Sequence, residues 1–508
     1  MIREGPSRDG VVILGAGPAG LSAAYELARY GKRSVVLEQD SVAGGLARTS
    51  EYKGYLFDIG GHRFFTKVRL VEKMWKDVLG DDLLERPRLS RIYYRSKFFH
   101  YPLDPMNVIA GLGFLEVIRC GISFLAARAF PQKPEIDFET WISNRFGKRL
   151  FRTFFENYTE KVWGIPCREI GAEWAAQRIR GLSLATLVHS AFHRRRPGKA
   201  KIRTLAQQFY YPRRGPGMMW TRVKELVESA GSEVVFNAPA ERIHWKPGRV
   251  TGVSAGGRFY PGEHFVSSIP IRELMARLDP PPPPRYLEAA ERLQYRDFLT
   301  VALIVKQRDL FPDNWIYVHD PSVAVGRIQN YKNWSPEMTP DSETSCLGME
   351  YFCFKDDHLW RMADADLIEL ARREVAQLGL ARAEDAIDGC VVRMPKAYPV
   401  YDKDYRAALS LIREFLDTLP NLQLAGRNGM HRYNNQDHSM LTAIMAARNI
   451  LGAHNDLWKL DADSSYQEHG EPITDEELVA LGATQPLVPS HLQGGTVSAG
   501  SSKFSSLP

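Results

Sequence analysis

The sequence predicts an α/β protein of two or three closely associated domains, and three observations support that prediction. The chain has 508 residues, of which 44% are hydrophobic, so it can bury a large core. An apolar run at 11–14 is followed by glycines at G-x-G-x-x-G spacing and then by a helical pattern. A second apolar run, at 34–37, ends in Glu38. This order of strand, tight turn, helix, strand and acid is that of a nucleotide-binding unit.

The glycines of the first turn are Gly15, Gly17 and Gly20. Residues without a side chain let the backbone turn sharply and approach a pyrophosphate, whose charge then lies at the N-terminus of the helix. Glu38 follows Gly20 by eighteen residues and is placed to accept hydrogen bonds from a ribose. The segment therefore predicts a site for a dinucleotide that contains ADP.

Two further glycine pairs indicate that the dinucleotide is FAD. They lie in Gly44-Gly45-Leu46-Ala47-Arg48 and in Asp58-Ile59-Gly60-Gly61-His62. Both stretches resemble the glutathione-reductase-like FAD superfamily in its amine-oxidase branch, which implies a GR2-type Rossmann-like FAD-binding domain. The resemblance implies that Gly45 and Arg48 lie along the diphosphate, and that the backbone of Gly60, Gly61 and His62 lies against the isoalloxazine. The alternative is that these glycines serve only as turn residues.

A helical stretch later in the chain narrows the chemistry. Residues 154–164 read FFENYTEKVWG, and Arg178 follows shortly after. The stretch is similar to the signature of the UDP-galactopyranose mutase family, and the chain also resembles protoporphyrinogen oxidase-like proteins of the same superfamily. Shorter likenesses to the mutases occur at 209–215, 326–336 and 397–399. Residues 426–439 resemble the closing flavin motif, and the resemblance assigns cofactor contacts there to Gly426, Arg427, Asp437, His438 and Ser439.

The residue types in these stretches suit a nucleotide sugar. Trp163 and Tyr158 can form an aromatic platform on one helix face. Arg178 and Arg327 can hold a diphosphate, because a guanidinium matches phosphate oxygens bidentately. The predicted substrate site is completed by Tyr317, Trp334, Tyr398 and Tyr433, of which Trp334 stands where the family usually has a tyrosine. Taken singly, Trp163 would more often be a core residue and Arg178 a solvated one.

The mutase resemblance implies a defined reaction. It implies isomerisation of a nucleotide sugar, or another glycosyl diphosphate, between pyranose and furanose rings through an adduct of the sugar with the flavin N5. The flavin must then be reduced, with NAD(P)H as a candidate external reductant, and His62, Arg178 and Arg327 are the expected catalytic residues. An FAD-dependent oxidase or dehydrogenase of the protoporphyrinogen oxidase or phytoene desaturase type is the alternative. A binding protein on the same fold is a third, against which the intact glycines and Glu38 argue.

Pattern and composition predict a discontinuous domain organisation. An FAD-binding domain is expected at 1–100, 231–275 and 420–455, a helical substrate-binding domain at 103–230, and a mixed or antiparallel β-sheet domain at 285–419. A mobile basic loop is expected at 180–208 and a disordered Gly/Ser-rich tail at 485–508. The apolar segment 108–128 carries Glu116 and Arg119 near its middle, so a buried helix is favoured over a membrane span.

Charge and cysteine content restrict the partners and the compartment. The formal net charge of +6 is modest for this length, so it fits an anionic small substrate and predicts no nucleic-acid partner. The five cysteines form no CxxC pair and no cluster with histidine at metal spacing, so no metal site is predicted and a reducing compartment is favoured. A cytoplasmic protein is expected, with peripheral membrane contact as the alternative. The oligomeric state is left open.

Overall fold

A five-stranded parallel sheet organises the first part of the fold. The computed structural model describes residues 3–4, 9–101, 103, 105–172 and 208–460. In spatial order the strands of this sheet are Glu233–Val235, Val35–Leu37, Val11–Leu14, His264–Ser267 and Leu422–Leu424. Beside it, helix Pro18–Arg29 packs against both Gln436–Ile450 and Gly217–Ser229, and Arg69–Leu79 packs against Gly217–Ser229. Because helices cover the sheet, the strands Val11–Leu14 and Val35–Leu37 are apolar and buried throughout.

A smaller five-stranded sheet is attached to this unit. Its strands, in spatial order, are Arg3–Glu4, Arg258–Pro261, Arg249–Ala255, Ala240–Lys246 and Leu278–Asp279. The helices Ile271–Ala276, Pro284–Arg292 and Tyr405–Leu416 follow one another in space at its side. The buried side chains of both sheets and of their helices belong to a single hydrophobic core.

A seven-stranded sheet forms the second half of the molecule. In spatial order its strands are Ala386–Pro399, Tyr295–Val305, Ser345–Cys353, Arg327–Asn330, Trp315–Val318, Ser90–Tyr94 and Lys97–His100. One face is apolar and packs against helix Asp364–Gln377. The opposite face carries a polar row, in which Thr300, Glu350 and Arg327 are directly opposite one another on neighbouring strands. This polar row lies deep in the molecule and defines the side on which a site can form.

A helical region lies between residues 105 and 169. Its elements are Pro105–Leu112, Phe114–Ala129, Phe138–Phe146, Lys148–Phe151, the π-helical turn Arg152–Glu156, Asn157–Trp163 and the 3-10 turn Cys167–Glu169. Asp137 caps the third of these helices by accepting a hydrogen bond from the backbone N–H of Thr140 (2.7 Å). Aromatic side chains, Trp163 among them, form the core of this region.

The segment predicted as one buried helix at 108–128 is different in the structure. The chain breaks at Gly113, and the helices before and after it are bent by 115°. Within Phe114–Ala129 the buried residue is Cys120, while most of the large apolar side chains are exposed. The prediction of a buried helix was therefore wrong, because the sequence shows that a segment is apolar but not whether a neighbour covers it. Among the described residues no single helix meets the length and hydropathy of a membrane span, and this bent pair meets them only together.

The remaining elements are short. Thr49–Tyr52 and Tyr55–Asp58 form a hairpin, and Leu83–Pro87 pairs antiparallel with the distant strand Gln208–Pro212. Short helices occur at Gly45–Ala47, Gly80–Asp82, Tyr331–Trp334, Pro336–Met338, His358–Arg361, Ala383–Asp385 and Gly426–Gly429.

The predicted α/β fold class is confirmed, with a parallel nucleotide-type sheet and a second mixed sheet. The strands Ser90–Tyr94 and Lys97–His100 fall inside the range 1–100 but belong to the seven-stranded sheet, so strand pairing corrects that boundary. Helix Gly217–Ser229, inside the range 103–230, packs against Pro18–Arg29 in the nucleotide unit. The predicted basic loop, apart from Gln208, and the predicted tail lie outside the described residues.

Candidate functional site

The glycine turn after the first long strand forms an open backbone cradle. Gly15 has φ +99°, and a Cβ atom added to Gly20 would lie 1.8 Å from the Gly15 carbonyl oxygen. Gly17 is the N-cap of helix Pro18–Arg29, whose first N–H groups have no partner within the helix. A Cβ on Gly45 would lie 3.2 Å from the Gly17 Cα, so the Gly44–Gly45 pair packs directly on this turn. These features fit a diphosphate at the helix N-terminus.

Glu38 lies at the end of the neighbouring strand with both carboxylate oxygens engaged. It accepts hydrogen bonds from the backbone N–H of Ala16 (2.6 Å) and of Asp40 (2.9 Å). Burial raises the pKa of this carboxyl, while the two backbone bonds oppose the rise. Arg48 forms an ion pair with Asp40 (2.6 Å) in the same corner. The acid predicted to bind a ribose is thus fixed beside the glycine turn.

The closing flavin motif at 426–439 packs on helix Pro18–Arg29. Gly426 has φ +80°, and a Cβ there would lie 2.8 Å from the Ala19 Cβ. Asp437, His438 and Ser439 are buried in the first turn of helix Gln436–Ile450. Arg427 donates to the carbonyl oxygens of Asn434 and Ala397 (2.7–3.0 Å), so its guanidinium ties two loops together.

The Gly60–Gly61 pair brings the nucleotide unit against the polar face of the seven-stranded sheet. Gly60 has φ +98°, and a Cβ there would lie 3.3 Å from Phe298 Cζ and 3.7 Å from Arg327 Nη2. A Cβ on Gly61 would lie 2.7 Å from Gln329 Nε2. A side chain at Gly61 would clash and one at Gly60 would need an unfavourable φ, so this close approach requires glycine.

His62 ends this turn and is held neutral. Burial, together with the positive charges of Arg427 and Arg327, lowers its pKa to about 3. Its Nδ1 is buried and has no hydrogen-bond partner in the part of the chain that the structure describes. A neutral imidazole with an unsatisfied nitrogen indicates a contact to a bound group.

Arg327 is anchored by a carboxylate that is fully buried. Its Nε and Nη2 contact Glu350 Oε2 at 2.7 and 2.5 Å, and Gln329 donates to Glu350 Oε1 at 2.9 Å. Burial acts to lower the pKa of Arg327, but the Glu350 charge prevails and raises it. Among the described residues no partner is found for Nη1, and the side chain stays 17% exposed. The guanidinium is therefore fixed at one side and open at the other.

Aromatic residues surround this arginine. Tyr158 stacks on His319 (4.5 Å between ring centroids) and meets the edge of Tyr317 (5.7 Å). Tyr398 stacks on Tyr433 (5.5 Å), and both rings contact Trp163. Trp163 is 2% exposed and belongs to the core of the helical region, so it packs behind these tyrosines and is not the open platform that the sequence predicted. Burial raises the pKa of Tyr158 and of Tyr398, with the charge of Arg327 acting in the opposite direction. Both phenols stay protonated and can donate hydrogen bonds at neutral pH.

One predicted residue, Trp334, does not join this group. Trp334 is 1% exposed, packs against Phe209 and Tyr211 at 5.1 Å each, and donates through its indole N–H to the Asn314 carbonyl (2.8 Å). It therefore serves as a core residue, because the short helix Tyr331–Trp334 that follows the Arg327 strand turns the indole into a buried aromatic cluster. Arg178 lies outside the described residues, so its role stays a prediction.

Sequence reasoning missed two buried carboxylates in this site. Glu350 interrupts the apolar run SCLGMEYFCF, and a lone acid in such a strand is a signal that could have been used. Asp58 precedes the Gly60–Gly61 pair and accepts a hydrogen bond from the Tyr211 hydroxyl (2.7 Å). Burial raises the pKa of Asp58 to about 8, and the charge of Glu350 contributes to the rise.

Lys161 of the FFENYTEKVWG stretch has a structural role. Its ammonium donates to the carbonyls of Val318, Asp320, Val323 and Val325 at 2.9–3.3 Å. Burial lowers its pKa to about 8. This lysine therefore holds the loop after strand Trp315–Val318 in place, next to Tyr317. In the described residues no group of His, Cys, Asp and Glu is arranged to hold a metal ion.

The glycine turn at Gly15–Gly20, the acid Glu38 and the Gly60–Gly61 pair are together the features of a flavoprotein that binds a dinucleotide. The family model for flavin-containing amine oxidoreductases matches residues 18–451. The chain belongs to that family, and this membership implies FAD.

Curated relatives match only parts of the chain. All-trans-retinol 13,14-reductase of Rattus norvegicus is 26% identical over 276 residues, which are 49% of this chain and 44% of that protein. The inactive all-trans-retinol 13,14-reductase of Danio rerio is 51% identical over 57 residues, 11% of this chain and 9% of that protein. The chain thus spans less than half the length of either relative.

Solved structures show the same fold over most of the chain. Reduced UDP-galactopyranose mutase superposes with a TM-score of 0.76 at 22% identity and covers 87% of this chain and 94% of its own. Putrescine oxidase with bound putrescine superposes with a TM-score of 0.59 at 18% identity, over 87% of this chain and 99% of its own. At such identities the likeness shows the fold alone, so the reaction must be argued from the site.

Proposed function

We propose that the protein is a flavin-dependent mutase acting on a nucleotide sugar or another glycosyl diphosphate. The observation that supports the proposal is how the Arg327 guanidinium is held. This guanidinium is anchored on buried Glu350 through Nε and Nη2, lies against the Gly60 turn, and is close enough to Tyr158 and Tyr398 to interact electrostatically with both. An oriented cation flanked by neutral hydroxyl donors suits an anionic substrate rich in oxygen.

The residues of the chain would position the substrate and exclude water. FAD, when bound in its reduced form, supplies an electron-rich centre beside the Gly60–His62 turn. Arg327 would hold the diphosphate, and the phenols of Tyr158 and Tyr398 would donate to its oxygens without adding charge. Neutral His62 offers Nδ1 to the sugar or to the flavin edge. The chemistry then needs no nucleophilic side chain.

An oxidase or dehydrogenase is the second candidate, and one observation favours it. Phe298, Phe352 and Tyr398 form a continuous aromatic group beside the same turn, with ring centroids 5.9–6.4 Å apart. Such a wall would also suit an apolar substrate that transfers electrons to the flavin. The retinol reductases and putrescine oxidase carry names of this redox class.

The two candidates differ in what happens to electrons. Dithionite-reduced protein is incubated anaerobically with UDP-, GDP- and dTDP-hexoses, and ring isomers are separated by chromatography. The mutase gives an isomer with no net change in flavin redox state, and the oxidised protein gives none. Bleaching of the oxidised flavin by an apolar amine or polyene, with peroxide released on admission of air and no isomer, would select the oxidase instead.

Arg91 provides a matched control for Arg327. It also pairs with a fully buried carboxylate, Asp313 (2.5 Å), but strand register places it on the opposite face of the same sheet. Arg327→Lys should weaken substrate binding by about tenfold or more, since a single ammonium cannot replace two nitrogens on Glu350 and also present a third to the substrate. Arg91→Lys should leave binding unchanged. Equal effects of both variants would remove Arg327 from the substrate site.

A further inference from the structure

The two helices on either side of Gly113 present an apolar face that no described part of the chain covers. Phe114 and Leu115 are each 72% exposed, and Leu125 is 66% exposed. The face is completed by Met106, Ile109, Ile118, Ile122, Phe130 and Ile136, all of which are exposed. We call this set the apolar face. Isolated exposed apolar residues are common on proteins, but a contiguous group of this size marks an interaction surface.

The spacing of these residues shows that the face is continuous. At 100° per residue, positions 114, 115, 118, 122 and 125 fall within an arc of roughly 100° on one side of helix Phe114–Ala129. Buried Cys120 and half-buried Phe124 fall on the other side, which packs on helix Phe138–Phe146. Across the 115° bend at Gly113, the adjoining helix Pro105–Leu112 carries the exposed residues Met106 and Ile109. The shape is that of a bent helical pair lying along a surface rather than crossing it.

The charges around the apolar face are mainly positive. Arg119, Arg128 and Lys133 are exposed along its edge. Glu116 is engaged by Arg149 and Arg119, and Glu135 is engaged by Arg145 at 2.9 Å. Asp137 beside Ile136 accepts hydrogen bonds from Thr140, and Arg128 and Lys133 are in no ion pair among the described residues, so the cations near the face outnumber the carboxylates. Cations next to exposed apolar side chains complement the headgroups and the outer acyl region of an anionic bilayer.

We propose that the apolar face docks the protein on the surface of an anionic lipid bilayer. The large side chains of the face would enter the boundary between headgroups and acyl chains, and the edge cations would contact lipid phosphates. Tyr101, at the base of helix Pro105–Leu112, has its ring 5.2 Å from Tyr317, which in turn contacts Tyr158. A chain of ring contacts therefore connects the segment before the apolar face with the aromatic residues of the candidate site. The proposal depends on this surface alone and is independent of the reaction.

Vesicle flotation with the full-length flavoprotein tests the proposal. Vesicles of phosphatidylcholine alone and of phosphatidylcholine with phosphatidylglycerol at 7:3 are compared at low and high salt. The wild type should float with the anionic vesicles, more weakly at high salt. The double variant Phe114→Ser/Leu115→Ser should lower the partition coefficient by at least about tenfold, because two large side chains no longer insert.

The far edge of the seven-stranded sheet provides a matched control. Ile387 is 51% exposed and lies on the edge strand there, so Ile387→Ser should float like the wild type. The flavin content and melting temperature of each variant report folding, and Ile122→Ser/Leu125→Ser repeats the test on the next turns of the face. Absence of wild-type flotation overturns the proposal. A wild-type dimer that the same substitutions dissociate, without vesicle binding, would overturn it as well and assign the face to a second copy of the chain.

Discussion

Replacing Arg327 with methionine should destabilise the protein in a way that depends strongly on pH. The substitution keeps the side-chain volume but removes the cation that faces Glu350, whose side chain is fully buried. Only the Gln329 amide would then remain as a donor to that carboxylate among its present partners. Breaking a buried ion pair by removing one partner typically costs about 3–5 kcal/mol.

The pH sets a ceiling on this cost. A buried carboxylate without a partner takes up a proton, and protonating a glutamate at pH 7 costs about 3–4 kcal/mol. At pH 5 the same protonation costs about 1 kcal/mol. The penalty of Arg327→Met should therefore fall from roughly 3–4 kcal/mol at pH 7 to roughly 1 kcal/mol at pH 5. Glu350→Gln on the same background should recover most of the loss at pH 7, because the amide needs no counter-charge.

Urea unfolding at saturating FAD, followed by tryptophan fluorescence at both pH values, measures these differences. Arg91→Met should show a comparable penalty at pH 7, since Asp313 is also fully buried. A penalty for Arg327→Met that is the same at pH 5 and pH 7, or that Glu350→Gln does not relieve, would refute the buried-pair reasoning.

Three further predictions concern the cofactor turn, a buried acid and the buried lysine. Gly20→Ala should abolish FAD retention, because the new Cβ would lie 1.8 Å from a carbonyl oxygen. Gly121→Ala, with open space around it, should retain FAD, and the flavin absorbance of the two purified variants tests this difference. Asp58 has a pKa raised to about 8, so its contribution to stability is present at acidic pH and is lost as the pH rises from about 4 to 8. Asp58→Asn should therefore reduce this decrease in the free energy of unfolding by up to about 5 kcal/mol, and an unchanged pH profile of urea unfolding would contradict the prediction. Lys161→Met leaves four carbonyls without their donor, so it should lower the free energy of unfolding by about 2–4 kcal/mol and expose residues 318–325 to limited proteolysis. Resistance of that loop equal to the wild type would show that the ammonium is dispensable.

The nucleotide unit could be predicted well because its signals are local. Gly15, Gly17 and Gly20 are required by one turn, and Glu38 follows on the adjacent strand within 40 residues of the chain start. Family resemblance then supplied Gly60, Gly61 and Arg327, which the structure brings within a few ångströms of one another. Whether these residues act on a nucleotide sugar stays a prediction.

Residues whose role depends on strand register were harder to predict. Trp334 follows Arg327 by seven residues, yet the turn between them directs the indole into the core. Glu350 reaches Arg327 because two antiparallel strands pair in one register, and nothing in the local sequence of either strand states that register. The buried helix expected at 108–128 failed for the same kind of reason, since burial depends on neighbours that are distant in the chain.

Local patterns are enough to predict the α/β class, the dinucleotide turn and the family, because each motif consists of residues close together in the chain. Packing decides that Arg327 is anchored on a carboxylate, that Trp334 is a core residue, and that no described residue covers the apolar segment beside Gly113. Those outcomes depend on desolvation and on contacts between distant segments, and both are set only when the sheets pair and pack.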